Sequence, residues 1–386
     1  MRISVFLVII IMVIVWYGIV PAAGALFNRR KWRIFRRRFD ELRLRPILDY
    51  SAYCGLDKDD KTFRFIGGFE SVTDGQTLWI QGENLTIPVS LKDAQIFLLP
   101  AQKGNDLPDT IDPSEEEPEQ IKWDKISTLT EGARVFVGGT MVYRDERWIF
   151  VSAKETPLLV IFYDGPDRSL TPRTIHGGRP HNEYKSGITT YSLAIGALGQ
   201  ILIALTYLNR PAFRLTVITA ITAMFMPLLP MIPPGILFTT IYRRLVWQAR
   251  TLRAYRDLAR LPMRYLAQQT GLLKSVELPN GEIYGMICGN SFSQAIEEEK
   301  IPLLVPDYPK KRNITWYIFG ALHEGNDFPA EPDDPFATYG ALPGEPESLS
   351  KRYGITAYLL EILAWIILIA GIGSSIFFVA LILSLL

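Results

Sequence analysis

Cysteine and histidine are nearly missing from this chain, which has two of the first and three of the second in 386 residues. Cys54 and Cys288 lie far apart, which excludes a disulfide framework and leaves reduced, buried small side chains as the expectation. His176 and His181 flank Gly177-Gly178-Arg179-Pro180 in what reads as a linker, with no further ligands to complete a zinc site. His323-Glu324 lacks the second histidine of a metalloprotease helix. The chain also lacks a phosphate-cradling glycine loop, a dinucleotide fingerprint and a Gly-x-Ser-x-Gly elbow. No catalytic residue, metal or cofactor is therefore expected, and the chain does not read as an enzyme. An excess of charge is missing too. Lys plus Arg is 41 and Asp plus Glu is 40, so the total gives no pull toward any class of partner.

Long apolar runs are what the sequence does have. Residues 3–26 hold no charge, and residues 187–208 have Gln200 as the only strongly polar side chain. Residues 215–242 and 354–386 complete a set of about four transmembrane helices, each able to cover a hydrocarbon core of ~30 Å. Ala23-Gly24-Ala25 has the small-x-small look of a signal-peptide cleavage site. The basic block behind it resists export, so the first run is expected to stay as a helix. The third run carries Pro227, Pro230, Pro233 and Pro234 and is read as one Pro-kinked helix.

Orientation follows from the arginines. A basic juxtamembrane segment, 28–48, carries Arg29, Arg30, Lys31, Arg33, Arg36, Arg37 and Arg38. A basic amphipathic helix, 243–271, carries Arg243, Arg244, Arg250 and Arg253. Both blocks are expected on the cytosolic side of a cell membrane, where these side chains would contact anionic headgroups at ~1 kcal/mol each. Arg210 and Arg214, in the short link between the second and third runs, are a mild dissent.

The polar regions between the runs are then cytosolic. The first, 49–185, reads as a β-module with strands at 62–69, 77–81, 86–90, 94–99, 133–143, 147–152 and 158–163. So many short strands suggest a small barrel of OB-like pattern. The second module, 272–352, is shorter, with strands at 282–288, 302–305 and 313–319. Lys103 to Lys122, with Asp106, Asp109, Asp112 and Glu115 to Glu117 among prolines, reads as a solvated acidic loop. Nucleic acid is not an expected partner, because Phe65, Trp79 and Trp148 sit at positions typical of core, and the acidic loop would repel phosphate.

Four features recur in the same order, which points to a tandem duplication. Asn28-Arg29-Arg30 matches Tyr242-Arg243-Arg244, and Ile87-Pro88-Val89 matches Ile301-Pro302-Leu303, both at an offset of 214. Gly104-Asn105-Asp106-Leu107-Pro108 matches Gly325-Asn326-Asp327-Phe328-Pro329, and Gly187-Ile188-Thr189 matches Gly354-Ile355-Thr356. The unit is helix, basic segment, β-module, helix, and the second copy lacks a counterpart of about residues 120–180. Such a repeat is parallel, about an axis along the membrane normal.

The expected function is a non-catalytic membrane-anchored scaffold of the cell envelope. Its partners would be the lipid bilayer, other proteins and, as an allowed case, further copies of itself. The alternative is a small transporter or channel built on the repeat. Glu361, the one charge inside a predicted span, is the candidate intramembrane polar site for it.

Overall fold

The computed structural model describes residues 2–56, 61–73, 76–99, 118–128, 132–144, 146–153, 156–179, 187–266, 275–278, 280–290, 296, 301–306, 314–323 and 328–385. The Gly-Asn-Asp stretches at 104–108 and 325–327, the acidic loop through 117, and His181 lie outside them. Its helices are α1 (Arg2–Val13), α2 (Val20–Leu42), α3 (Tyr50–Cys54), α4 (Leu170–His176), α5 (Gly187–Tyr207), α6 (Arg214–Met224), α7 (Gly235–Leu266) and α8 (Pro346–Leu385). Its strands are β1 (Lys61–Thr73), β2 (Thr77–Gln81), β3 (Thr86–Ser90), β4 (Gln95–Leu98), β5 (Glu119–Gln120), β6 (Arg134–Arg144), β7 (Arg147–Val151), β8 (Leu159–Tyr163), β9 (Ser275–Glu277), β10 (Ile283–Gly289), β11 (Trp316–Ala321) and β12 (Gly340–Pro343). The chain folds as two compact units: 1–33 with 181–250 and 355–386, and 34–180 with 251–354.

The first unit is helical. Three of its helical stretches are long and apolar enough to cross a membrane: Ser4–Leu42, Gly187–Tyr207 and Pro346–Phe378. Only 11%, 22% and 17% of their most apolar windows are buried in protein. The remaining apolar side chains, such as Leu7, Leu202 and Ile369, face outward and need a solvent other than water. These facts are compatible with membrane helices joined to β-modules.

Residues 215–242 require a correction, because they are not one kinked helix. Helix α6 stops at Met224, Met226–Met231 form a 3-10 turn, Ile232 is extended, and α7 begins at Gly235. The physical reason is the proline set, which removes donors and disfavours helical backbone at the residue before each proline. Pro211–Met224 alone is too short to cross a bilayer. Helix α7 then continues through residues read as a separate basic helix, so 235–266 is one element.

Helix α5 packs by a stripe at every fourth residue: Ser192, Gly196, Gln200 and Ala204 are its buried positions. A side chain at Gly196 would collide with Trp16 and Tyr17, so the glycine permits close approach. Residues Ile14–Ile19 form a π turn between α1 and α2. The Ser192 hydroxyl donates to the Trp16 carbonyl there, and Gln200 Nε2 donates to the Ile9 carbonyl at 3.4 Å.

The second unit holds both β-modules. In the first, β1 pairs with β6 over residues 61–68 and with β2 over 68–73, with a bulge between Phe69 and Ser71. Strand β2 pairs with β3, β3 runs parallel to β7 at Val89 and Phe150, and β7 pairs with β6. The five strands β1-β2-β3-β7-β6 thus close on themselves as a barrel. Alternate residues fill it: Phe63 and Phe65, Leu78 and Ile80, Ile87 and Val89, Val135 and Val137, Trp148 and Phe150. Gly67 allows β1 to swing between partners, since a Cβ there would meet the Gln81 carbonyl. Beyond β6 the sheet extends through β8, β4 and β5.

The second module is a four-stranded antiparallel sheet, β12-β11-β10-β9. The strand expected at 302–305 is only a parallel bridge from Leu303 to Ala341. Its core is filled from outside the sheet. Leu258, Leu261 and Tyr265 of α7, Ile175 of α4 and Tyr353 of α8 pack with Tyr284, Phe319 and Leu342. Cys54 and Cys288 are exposed, contrary to the expectation of burial. Cys54 ends the short α3, and Cys288 lies one residue from the end of β10, beyond the buried stretch at Tyr284 and Gly285.

Candidate functional site

A polar arrangement in the second unit is buried where the barrel, α2, α7 and the second module meet. Arg64 comes from β1, between Phe63 and Phe65, so strand alternation points it out of the barrel. It is 1% exposed. Its Nη2 donates to Asp334 Oδ2, its Nε donates to the Arg45 carbonyl at 2.6 Å, and its guanidinium lies 5.0 Å from the Phe336 ring centre. Arg43, just past the end of α2, is 0% exposed. It donates from Nε to Asp40 at 2.8 Å and from Nη1 to the Phe336 carbonyl at 3.4 Å, and stacks 5.1 Å from the Tyr265 ring. Asp40 also pairs with Arg264.

Aromatic side chains wall this seam. Phe136, from the outer face of β6, lies 5.3 Å from both Phe39 and Phe336. Tyr265 donates to the Phe336 carbonyl at 2.9 Å and Tyr284 to the Thr338 carbonyl at 2.7 Å. Burial raises both phenols above their ordinary value and pushes the Arg43 guanidinium down. Both carboxylates here, Asp40 and Asp334, are engaged by arginine.

A second polar cluster surrounds α4, which lies in the stretch expected to be a linker. Arg179 donates from Nε to the Ile175 carbonyl at 2.8 Å and pairs with Asp257 of α7. Burial pushes Asp257 up, but Arg179 and Arg256 outweigh that and hold it below the usual carboxylate range. His176 is buried beside Tyr255. Burial, and then the nearby Arg179 charge, push it down to about 4.

The basic residues selected from sequence divide into two groups. Arg30, Lys31, Arg33, Arg37, Arg243 and Arg244 are exposed. Arg29, Arg250 and Arg253 are half-buried and have polar or electrostatic partners. Arg36 donates to the Gly177 carbonyl at 2.8 Å and Arg38 to the Pro157 carbonyl at 3.2 Å, so both clasp backbone of their own unit. Arg37 pairs with Glu41 one turn on. Glu361 is half-buried on α8 and is likewise partnered.

The aromatic set weighed for nucleic acid is not gathered on one surface. Phe65 and Trp148 lie in the barrel core, and Arg64 is locked in the seam. Trp79 is half-buried, donates to Thr73 Oγ1 at 2.8 Å, and has the Arg147 guanidinium 5.5 Å above its ring.

Sequence reasoning missed Arg43, Asp334, Tyr265 and Phe336. A charged residue between two phenylalanines of a buried strand, as Arg64 is, was the one available signal. Among the described residues, no three His, Cys, Asp or Glu side chains converge as metal ligands would. No family model, no curated protein and no solved structure matches this chain.

Proposed function

We propose that this protein is a non-catalytic, membrane-anchored scaffold whose two β-modules form a single interaction platform on the cytosolic face of a cell membrane. The observation that carries this reading is the seam. Arg64 of the first module is bound there to Asp334 of the second, and the other carboxylate among the described residues of the seam, Asp40, is held by Arg43 and Arg264. The exposed apolar helices supply the anchor. Affinity capture of the whole protein from detergent-solubilised membranes tests it. A stable, stoichiometric protein partner is expected, and none in repeated captures counts against the scaffold.

The connectivity supports four crossings. Residues 34–180 and 251–354 fold as one unit and so share one side of a bilayer. A chain that leaves that side through α5 must return before residue 251, which makes the broken stretch 214–250 the candidate for the fourth crossing. The exposed Arg30, Arg33, Arg243 and Arg244 support the cytosol as the shared side. Reporter fusions at 120, 212 and 300 should read cytosol, outside and cytosol. The reverse pattern overturns the topology.

The barrel is OB-like in this reading. Its closed order β1-β2-β3-β7-β6, with the third and last strands parallel, supports that assignment. The tandem duplication is supported by equivalent connections. Ile87-Pro88-Val89 meets the last barrel strand in parallel at Phe150, and Ile301-Pro302-Leu303 meets β12 in parallel at Ala341. The Gly-Asn-Asp match does not share this support, because 104–108 precede β6 whereas 325–329 follow β11. The shortening of the second copy then falls in two places. Residues 91–133 shrink to 304–315, and 152–186 shrink to 344–345.

The transporter reading keeps one favourable observation. The stretch 214–242 is broken in the middle, as discontinuous helices of transporters are. Unchanged solute flux in liposomes on Pro230→Ala and Glu361→Gln substitution removes it.

A further inference from the structure

We infer that Pro21 and Ser192 form a clasp that fixes the N-terminal helix to α5 inside the helical unit. The first argument is an acceptor without a main-chain donor. Residues Ile14–Ile19 bond at the π spacing, and the Val20 N–H donates to the Val15 carbonyl. With Val20 so engaged, the Trp16 carbonyl has no donor at the α spacing. Its donor at the π spacing would be residue 21, which is a proline and has no N–H. In hydrocarbon no water makes up that loss, so a carbonyl freed by proline has to be met by a neighbouring helix. Ser192 of α5 meets it. Its hydroxyl, on a residue 1% exposed, donates to the Trp16 carbonyl.

The second argument is a contrast with four other hydroxyls of the same unit. Thr206, Thr219, Thr222 and Thr240 each donate to the carbonyl four residues back in their own helix, at 2.7, 2.8, 2.9 and 2.9 Å. That is the ordinary local bond of such a side chain on a helix. Ser192 forgoes it and reaches across to the π turn. Gly196, one turn further along α5, makes the approach possible, since a Cβ there would lie 2.9 Å from the Trp16 Cβ. The Gln200 bond to the Ile9 carbonyl is supplementary, because Ile9 lies within regular α-helix. The Trp16 bond has no such substitute. Lipid tails carry no donor, so α5 and the N-terminal helix part only by leaving a bare carbonyl in apolar surroundings. The proline thus turns a local helix defect into a specific docking point.

The test is a double-mutant cycle on the whole protein in mixed micelles. Ser192→Ala should raise the unfolding equilibrium constant about five-fold. Pro21→Ala restores an N–H at residue 21, and in that background Ser192→Ala should leave the constant unchanged. Docking is read separately from spin labels on Ile10→Cys and Leu198→Cys, both outward-facing, with Cys54→Ser and Cys288→Ser. Their distance distribution should be narrow in the parent and broad with Ser192→Ala. An equal penalty in the two backgrounds makes Ser192 an ordinary packing residue and overturns the clasp. Unchanged unfolding on Ser192→Ala overturns it as well, and so does an unchanged distance distribution. If Ser192→Ala does not fold, recovery of folding on adding Pro21→Ala supports the clasp, and failure of the double variant overturns it.

Discussion

The barrel and the second module solve the same problem of burying one face of a sheet, and they solve it differently. The barrel closes on itself and fills its interior with its own alternate side chains. The second module stays an open sheet of four strands and takes its core from α7, α8 and α4. A sheet of that size rarely buries enough apolar area alone. Ile175 is the telling residue, because it belongs to the first half of the chain yet packs in the second module. If the modules are copies, the second gave up its own covering elements once the first could lend them. Their union, rather than either part, is then the functional unit.

The largest expected effect tests that dependence at the seam. Asp334→Ala leaves Arg64 buried without its carboxylate, which costs about 3–5 kcal/mol. The loss should fall on the second module. Calorimetry of the full chain should show its transition at a lower temperature, with the barrel's own transition kept. A single, equally lowered transition would break the contrast and make the two modules one cooperative body. Next is Ile175→Ala, which removes a buried side chain and costs about 2–5 kcal/mol. Hydrogen exchange in β10 and β11 should accelerate while that in β1 and β6 does not. If the barrel loosens instead, α4 serves the first module.

His176 gives the contrast a pH dependence. Its folded value, about 4, lies below the ordinary histidine value of 6.5. The unfolded chain therefore binds a proton where the folded chain does not, and stability falls as pH drops between those values. Above about pH 7 the contribution is constant, and below about 4 no further loss occurs. The window is worth roughly 3 kcal/mol at most. Urea unfolding from pH 7.5 to 4.5 should show the loss in the second module's transition, and His176→Phe should flatten it.

What the sequence made legible was set by periodicity. The barrel strands are visible because of their β-branched and aromatic residues between turn signals, and the expected ranges fall within a residue of those observed except at the end of β1, which runs on to Thr73. The long apolar runs are visible because nothing else requires them. Strands β9 and β12 were not visible, since three- and four-residue strands carry too little pattern. Helix α4 was hidden for a related reason. Its apolar residue Ile175 makes sense only against a core that begins at Ala254, far along the chain. The seam was least legible of all. Asp334 is one of many acids in a proline-rich loop, and only Arg64, trapped between core phenylalanines, hinted that one of them must be buried.

The smallest effect separates the two ion pairs that join the modules. Arg168 pairs with Glu331 and donates to the Pro332 carbonyl at 2.7 Å, only a few residues from Asp334. Its side chain is 41% exposed and that of Glu331 54%, against 2% and 3% for Arg64 and Asp334. Water already screens the exposed pair, and holding two long side chains costs entropy, so Arg168→Ala should cost only about 0.5 kcal/mol. Raising salt to 1 M should erase even that, while leaving the Arg64–Asp334 contribution nearly intact. The measurement is the shift of the second module's transition for each variant at low and high salt. A loss on Arg168→Ala comparable to that on Asp334→Ala would mean that the modules are held at their surface. The buried seam would then be ordinary core, and the borrowed-core account of the second module would fail with it.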